Sequence, residues 1–314
     1  MGNMVELKQM ELSKLNLHPS LESLAPGRYF TEDSPISSRN LVVHLERRKP
    51  LPERVEQMVK KYSELWKSKG FYESVEIAGV TEINYPRTGE QETEALRLVV
   101  KPFRYFAFLA TNANVKLRND LDEEDREWLL RQIEDCDPNE PIPAFVNPLS
   151  VEIILLCDGG RKFVLTRRSG HTVYRGGLIG PSAAETVSAT LDRRDGEIDL
   201  VNAVRRALSE EIGIQAEHLE EVYFTDLMFD KEVFDYKFTC VATTNLTAEQ
   251  IEALYRNGLA KDKYETAGIL FQRFPCEVSR SEVLEKWMPE AAATYAKAVV
   301  DRLGWKKLLS LVKY

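Results

Sequence analysis

The chain has 314 residues, 43% hydrophobic and 29% charged, with a formal net charge of −8. That is an ordinary globular composition, long enough for two domains and without the clustered Lys and Arg that an extended nucleic-acid surface requires. No apolar run approaches the roughly 20 residues of a membrane-spanning helix, and the opening MGNMVELKQMELSKL lacks an apolar signal core, so cytoplasmic residence with no membrane partner is expected.

In chain order, Leu51, Val55, Met58, Val59, Tyr62, Leu65 and Trp66 recur at helical spacing, with Pro52 at the start and Gly70 as C-terminal cap, which predicts an amphipathic helix packed on a sheet. The alternation of Leu96, Leu98 and Val100, and the aromatic run Tyr105 to Leu109, predict two strands. Asp120 is expected to cap a helix whose first turn carries Asp122, Glu123, Glu124 and Asp125, where the macrodipole favours acids and makes the run structural. The segment DPNEPIPAFVNP, with Pro138, Pro141, Pro143 and Pro148, cannot form regular helix and marks a boundary near residue 147. Cys136, Cys157, Cys240 and Cys276 lie far apart with no C-x-x-C pair, so a zinc ribbon is unsupported and reduced structural thiols are expected.

Beyond the boundary, Val151–Cys157, a turn at Asp158-Gly159-Gly160 and Phe163–Thr166 read as a hairpin. An irregular Gly-rich stretch, 170–182, leads to a helix from about Leu200 to Ile212 with Asp199 as N-cap. Strands around 222–228 and 234–242, a helix near 248–255, a strand near 268–271 and C-terminal helices complete the pattern. In the 200–212 helix, Val201, Val204, Leu208 and Ile212 form one apolar stripe, so the helix docks by that face and turns another to solvent or ligand. Glu210 and Glu211 lie off the stripe in the last turn, where the negative end of the dipole disfavours each by about 0.3–1 kcal/mol unless something compensates. A bound cation would do so.

The segment Arg206-Ala207-Leu208-Ser209-Glu210-Glu211-Ile212-Gly213-Ile214 resembles the end of the Nudix signature, G-x5-E-x7-R-E-U-x-E-E-x-G-U with U aliphatic. The preceding hairpin, the irregular loop and the following strand are similar to the Nudix layout over about residues 150–275. The resemblance implies a Nudix-type α/β/α sandwich with a mixed sheet in residues 148–314; it covers nothing before the boundary, where the helix and strand patterns read as a smaller α+β N-terminal domain, 1–147, of unknown role. It further implies that Glu210 and Glu211 bind Mg²⁺ or Mn²⁺ beside a pyrophosphate, with Arg206 and Gly213 as structural parts of the motif. Hard oxygen ligands suit such a cation, which neutralises phosphate charge.

Two positions depart from the signature. The Glu that follows the motif Arg is Ala207, and the residue eight before Arg206 is Ile198 rather than Glu, because LDRRDGEID resembles an insertion. Glu185 is the preferred substitute for the upstream carboxylate, with Glu197 as the alternative, and Glu265 is a candidate for an additional acid or base. Arg167 and Arg168 end the second hairpin strand beside the irregular loop and suit bidentate phosphate binding. Tyr174 and Arg175 could stack on a base or pack on the sheet; His171, the one histidine near this loop, is not assigned a catalytic role, and His18, His44 and His218 show no ligand spacing.

The expected activity is metal-dependent hydrolysis of a pyrophosphate bond in a nucleoside diphosphate derivative or nucleoside triphosphate. The alternative, motivated by Ala207, is a catalytically impaired module that binds a nucleotide derivative as sensor or scaffold. A homodimer is left open, and the substrate is not readable.

Overall fold

In the computed structural model, residues 20–24, 29–30, 41–48, 50–73, 75–88, 93–116, 118–134, 136–170, 175–261, 266–279 and 285–313 are described. The N-terminal half begins with β1 (Leu21–Ser23) and β2 (Leu41–Leu45), followed by α1 (Glu53–Ser68), β3 (Glu76–Asn84) and β4 (Leu96–Arg104). β2 lies parallel to β4 and β3 antiparallel to it, giving a three-stranded sheet. α1 buries Val55, Met58, Val59, Tyr62 and Trp66 of the 3.6-residue stripe expected from the sequence, while Leu65 is exposed on the flank of that face, and Gly70 beyond its end has φ +87°.

Two expectations for this half are corrected. Tyr105 to Leu109 is not a strand: α2 (Tyr105–Phe108) runs into a π-helical turn, Leu109–Ala113. Phe106, Ala107 and Ala110 are buried at helical spacing, with the Phe106 ring edge-on to Trp66 at 5.5 Å, so packing decided what composition left ambiguous. The cap of α3 (Glu123–Gln132) is Asp122, which accepts the Asp125 N–H, whereas Asp120 bonds the side chains of Trp66, Lys69 and Arg118. The acidic run is structural, with Lys61 bonding both Asp122 and Asp125.

The second half contributes β5 (Leu149–Cys157), β6 (Lys162–Arg168), β7 (Ile179–Gly180), β8 (Ala183–Thr186), β9 (Arg193–Arg194), β10 (Glu197–Ile198), α4 (Leu200–Ile212), β11 (Leu219–Asp230), β12 (Asp235–Thr244), α5 (Ala248–Arg256), β13 (Thr266–Arg273), α6 (Pro289–Leu303) and α7 (Trp305–Leu311). The main sheet runs β1-β11-β12-β5-β6-β7, with β8 on β5 and β13 on β6. β12 and β5 are parallel and the other pairs antiparallel, so the sheet is mixed.

β5 is buried along its whole length because both faces of the sheet are covered. Val151, Ile153 and Leu155 join a core with α4, while Ile154 and Leu156 join a second one with α6. The first core continues across residue 147 into α1 and the three-stranded sheet. Gly79 bridges to Pro148, and the Val80 N–H donates to the Asn147 carbonyl at 2.8 Å. The insertion before α4 is a tight hairpin of β9 and β10, turned by Asp195 and Gly196, both at positive φ.

Candidate active site

α4 starts and stops as its residue types dictate. The Asp199 carboxylate accepts the Asn202 N–H at 3.1 Å, and Gly213 takes the left-handed conformation, φ +83°, that ends the helix. The buried face of α4 is wider than the apolar stripe alone, for it includes Ala203, Ala207 and Glu211 as well as Val201, Val204, Leu208 and Ile212. Glu211 is therefore turned inward, not to solvent. Its Oε1 accepts the N–H of Ala184 on β8 at 2.8 Å.

Glu210 is half-buried, and its Oε2 lies 3.3 Å from Arg206 Nη1, the same nitrogen that meets Glu185 Oε2 at 3.3 Å. β8 pairs with β5 so that Glu185 stands opposite Val151, on the sheet face that α4 covers. Three carboxylates from two elements thus gather on one edge: Glu185, Glu210 and, pinned to the residue beside Glu185, Glu211. The unfavourable dipole at the end of α4 is offset by Arg206 and by a backbone N–H. Protein groups supply the compensation expected of a cation.

Arg206 is itself held by a residue that sequence reasoning missed. Asp192 is fully buried and takes Arg206 Nε at 3.0 Å and Nη2 at 2.8 Å, while Nη2 also donates to the Thr186 carbonyl at 3.0 Å. Burial works against the charged guanidinium, but the bonds to Asp192 and the charges of Glu185 and Glu210 keep it protonated. Asp192 also accepts the Ser188 N–H at 2.8 Å, which ties the start of the insertion to the helix. Nothing in the sequence spacing signals this pair, since Asp192 and Arg206 are separated by a hairpin.

Glu197, the alternative upstream acid, is engaged elsewhere. Its carboxylate meets His44 Nδ1 at 2.8 Å and accepts the Leu45 N–H at 2.9 Å, so the insertion hairpin docks on β2. Arg167 and Arg168 are successive strand residues and point to opposite faces. Arg168 shares its face with Val164, on the α4 side, and Arg167 with Phe163 and Leu165, whose side chains lie under α6. Tyr174 and Glu265 lie outside the described residues.

The carboxylate oxygens have the right chemistry for Mg²⁺ or Mn²⁺. Among the described residues, however, no three Asp, Glu, His or Cys side chains are grouped so that they could hold a metal ion. Arg206 stands between Glu185 and Glu210, and position 207 offers only a buried methyl group.

Across the sheet, at the register of Ala184, Glu152 faces α6 within a buried charge network. Lys237 Nζ meets Asp235 at 2.9 Å, Glu152 at 3.2 Å and Glu290 at 3.5 Å. Arg175 reaches Glu290 and, at 2.7 Å, Glu232, so it clamps the loop before β7 to the start of α6 and to the turn before β12. Burial raises the Glu152 carboxyl to about 7, with Lys237 opposing, and raises Asp230 to about 6. The alternation of β5 hides this network in the sequence, because every residue of the strand is buried.

A mixed sheet between an acid-bearing helix and a C-terminal helix, with Arg and Glu gathered at one helix end, defines an α/β/α sandwich of the kind expected from the motif. A family model for the NUDIX domain matches residues 146–302, half of the chain, and the protein belongs to the Nudix family. Solved structures similar to it include a Nudix hydrolase, RenU, from M. smegmatis (15% identity, 48% of this chain and 82% of that one, TM-score 0.28). MutT from Aliivibrio salmonicida and Vibrio cholerae is similar at 16% identity over 52% of this chain and 97% of that one, TM-score 0.27. A Deinococcus radiodurans protein is similar at 15% identity, the match spanning 40% of this chain and 65% of that one, TM-score 0.28. No curated protein matches the chain. Family membership supports a general Nudix hydrolase function, and among the described residues no helix is long and apolar enough to cross a membrane.

Proposed function

We propose that the chain hydrolyses a pyrophosphate bond in a nucleoside diphosphate derivative or a nucleoside triphosphate, at the edge where α4 meets β8, with Mg²⁺ or Mn²⁺. The observation that supports this reading is the sharing of Arg206 Nη1 by Glu185 and Glu210, with Glu211 held on the adjacent Ala184 N–H. Glu210 and Glu211, with Glu185, are the carboxylates that would supply the cation's ligands, and Arg206 would have to leave its place between Glu185 and Glu210 for them to converge on it; the cation when bound would neutralise the charge of the two phosphoryl groups. Arg206 orients Glu210 and Glu185, and Asp192 orients Arg206. Arg168 is the better placed of the two arginines to meet a phosphate, because its strand face is the α4 face. Tyr174 and Glu265 keep the roles that the sequence suggests, a base-stacking ring and an additional acid or base. The test incubates the purified full-length chain with a nucleotide panel and Mg²⁺ or Mn²⁺ and follows release of nucleoside monophosphate or phosphate. The expected result is metal-dependent turnover that Glu211→Gln lowers at least tenfold; no product from any nucleotide would refute the reading.

A second reading, a nucleotide-binding module without turnover, is favoured by the buried Ala207 methyl and by the closure of Glu210 on Arg206. Calorimetry separates the two. Saturable nucleotide binding without product, unchanged by Glu211→Gln, belongs to the module.

A further inference from the structure

Two of the carboxylates that would receive a cation are already bridged, and the bridge is a single nitrogen. Arg206 Nη1 lies 3.3 Å from Glu185 Oε2 on β8 and 3.3 Å from Glu210 Oε2 on α4. Both carboxylates are open to solvent, with 28% and 35% of their side-chain surface exposed, whereas the arginine between them keeps 15%.

The other nitrogens of the guanidinium are committed elsewhere. Nε and Nη2 meet the fully buried Asp192 carboxylate at 3.0 and 2.8 Å, and Nη2 also donates to the Thr186 carbonyl. Asp192 is fixed in turn: its N–H donates to the Ser188 carbonyl, its carbonyl accepts the Asp199 N–H at 2.9 Å, and its carboxylate accepts the Ser188 N–H at 2.8 Å. Nη1 can therefore leave Glu185 and Glu210 without stranding the buried Asp192 charge, because the fork on Asp192 is made by the other two nitrogens.

One guanidinium stands among four carboxylates, those of Asp192, Glu185, Glu210 and, through the Ala184 N–H, Glu211. The excess of negative charge among these five residues attracts a divalent cation. A cation shared by Glu185 and Glu210 would draw their oxygens to the about 2.0–2.1 Å of a Mg²⁺–oxygen bond, space that Nη1 takes up.

We infer that Arg206 is an internal competitor of the metal: Nη1 and a divalent cation exclude each other at Glu185 and Glu210, and Asp192 is the pivot that retains the guanidinium when the cation enters. The inference rests on the reading that this edge takes Mg²⁺ or Mn²⁺. It makes the affinity for the cation depend on the insertion that carries Asp192 as well as on the carboxylates. Two ion pairs of this exposure together change an equilibrium constant by about tenfold.

The test is calorimetry with Mn²⁺ alone on the full-length chain. Arg206→Met by itself strands the Asp192 charge, so the informative comparison is Asp192→Asn with and without Arg206→Met. Adding Arg206→Met is expected to tighten Mn²⁺ about tenfold, and Glu210→Gln in that double variant to abolish the gain. Arg205→Met removes the same charge one residue away and is expected to leave the affinity of the otherwise unaltered chain within about twofold. Equal Mn²⁺ affinity with and without Arg206→Met, or an equal gain from Arg205→Met, overturns the inference while the metal reading stands. No saturable heat from any of these proteins up to about 5 mM Mn²⁺ overturns the metal reading and the inference with it. If the double variant fails to fold, Arg206→Lys decides in its place: it keeps the charge but has one nitrogen for three carboxylates, and an Mn²⁺ affinity no tighter than that of the unaltered chain overturns the inference.

Discussion

Replacing Arg206 by methionine keeps the apolar stem and removes the guanidinium that joins α4 to the insertion and to β8. What is lost is two bonds to Asp192, at 3.0 and 2.8 Å, one to the Thr186 carbonyl at 3.0 Å, and the ion pairs to Glu185 and Glu210, at 3.3 Å each. The outer pairs involve half-buried carboxylates and contribute little, about 0–1 kcal/mol each. Asp192 decides the outcome, because it is fully buried and is left as an uncompensated charge, which costs about 3–5 kcal/mol. It keeps the Ser188 N–H, so the lower end of that range, about 3 kcal/mol, is expected. Asp192→Asn leaves no buried charge and should cost about 1–2 kcal/mol, and in the double variant Arg206→Met no longer strands a charge, so the two effects should fall short of their sum by about 1–2 kcal/mol. Arg206→Lys should not rescue, since a lysine cannot make the bidentate contact. Urea unfolding of the four proteins by far-UV circular dichroism measures the cycle. A loss below about 1 kcal/mol for Arg206→Met, or additivity within about 0.5 kcal/mol, would refute the buried-pair reasoning.

Three further outcomes are expected. Gly213→Ala should destabilise the chain by about 1–2 kcal/mol, because φ +83° is unfavourable for alanine and the added Cβ would lie 3.1 Å from the Ala260 nitrogen; an unchanged urea midpoint would contradict this. Gly79→Ala should cost about 3 kcal/mol, since its Cβ would meet the Val146 carbonyl at 2.2 Å and the Phe103 ring at 2.5 Å, and a soluble variant of native stability would show that the connector can move away. The folded chain holds protons on Glu152 up to about pH 7 and on Asp230 up to about pH 6, protons that the unfolded chain releases near the ordinary carboxyl values. Stability from these groups is therefore lost as pH rises from about 4.5 to 7, and Glu152→Gln should flatten that decline by about 1–3 kcal/mol in urea midpoints at pH 5, 6 and 7. Parallel pH profiles would sink the assignment.

Much of the second half was legible because its signals are local. The 3.6-residue stripe, the Asp199 cap and Gly213 set the limits of α4, and the Asp158-Gly159-Gly160 turn set the hairpin. The Arg206 and Glu210 pair was legible for the same reason, as residues four apart on one helix are neighbours by geometry, whereas Glu211, five from Arg206, turns to the β8 edge. The aromatic run at 105–109 misled because Phe and Tyr suit a strand by composition, and tertiary packing, such as Phe106 on the ring of Trp66 and Tyr105 on Phe71, accompanies the helix instead.

What the sequence determined by itself was therefore periodicity, capping and the identity of the helix that carries the acids. The tertiary structure alone decided what each acid faces: Asp192 on Arg206 across a hairpin, Glu211 on the edge of β8, Glu197 on β2, and Arg167 and Arg168 on opposite faces of one strand. The physical reason is that the free energy of a buried charge depends on the partners that meet it, and those partners come from chain segments that spacing along the sequence does not bring together.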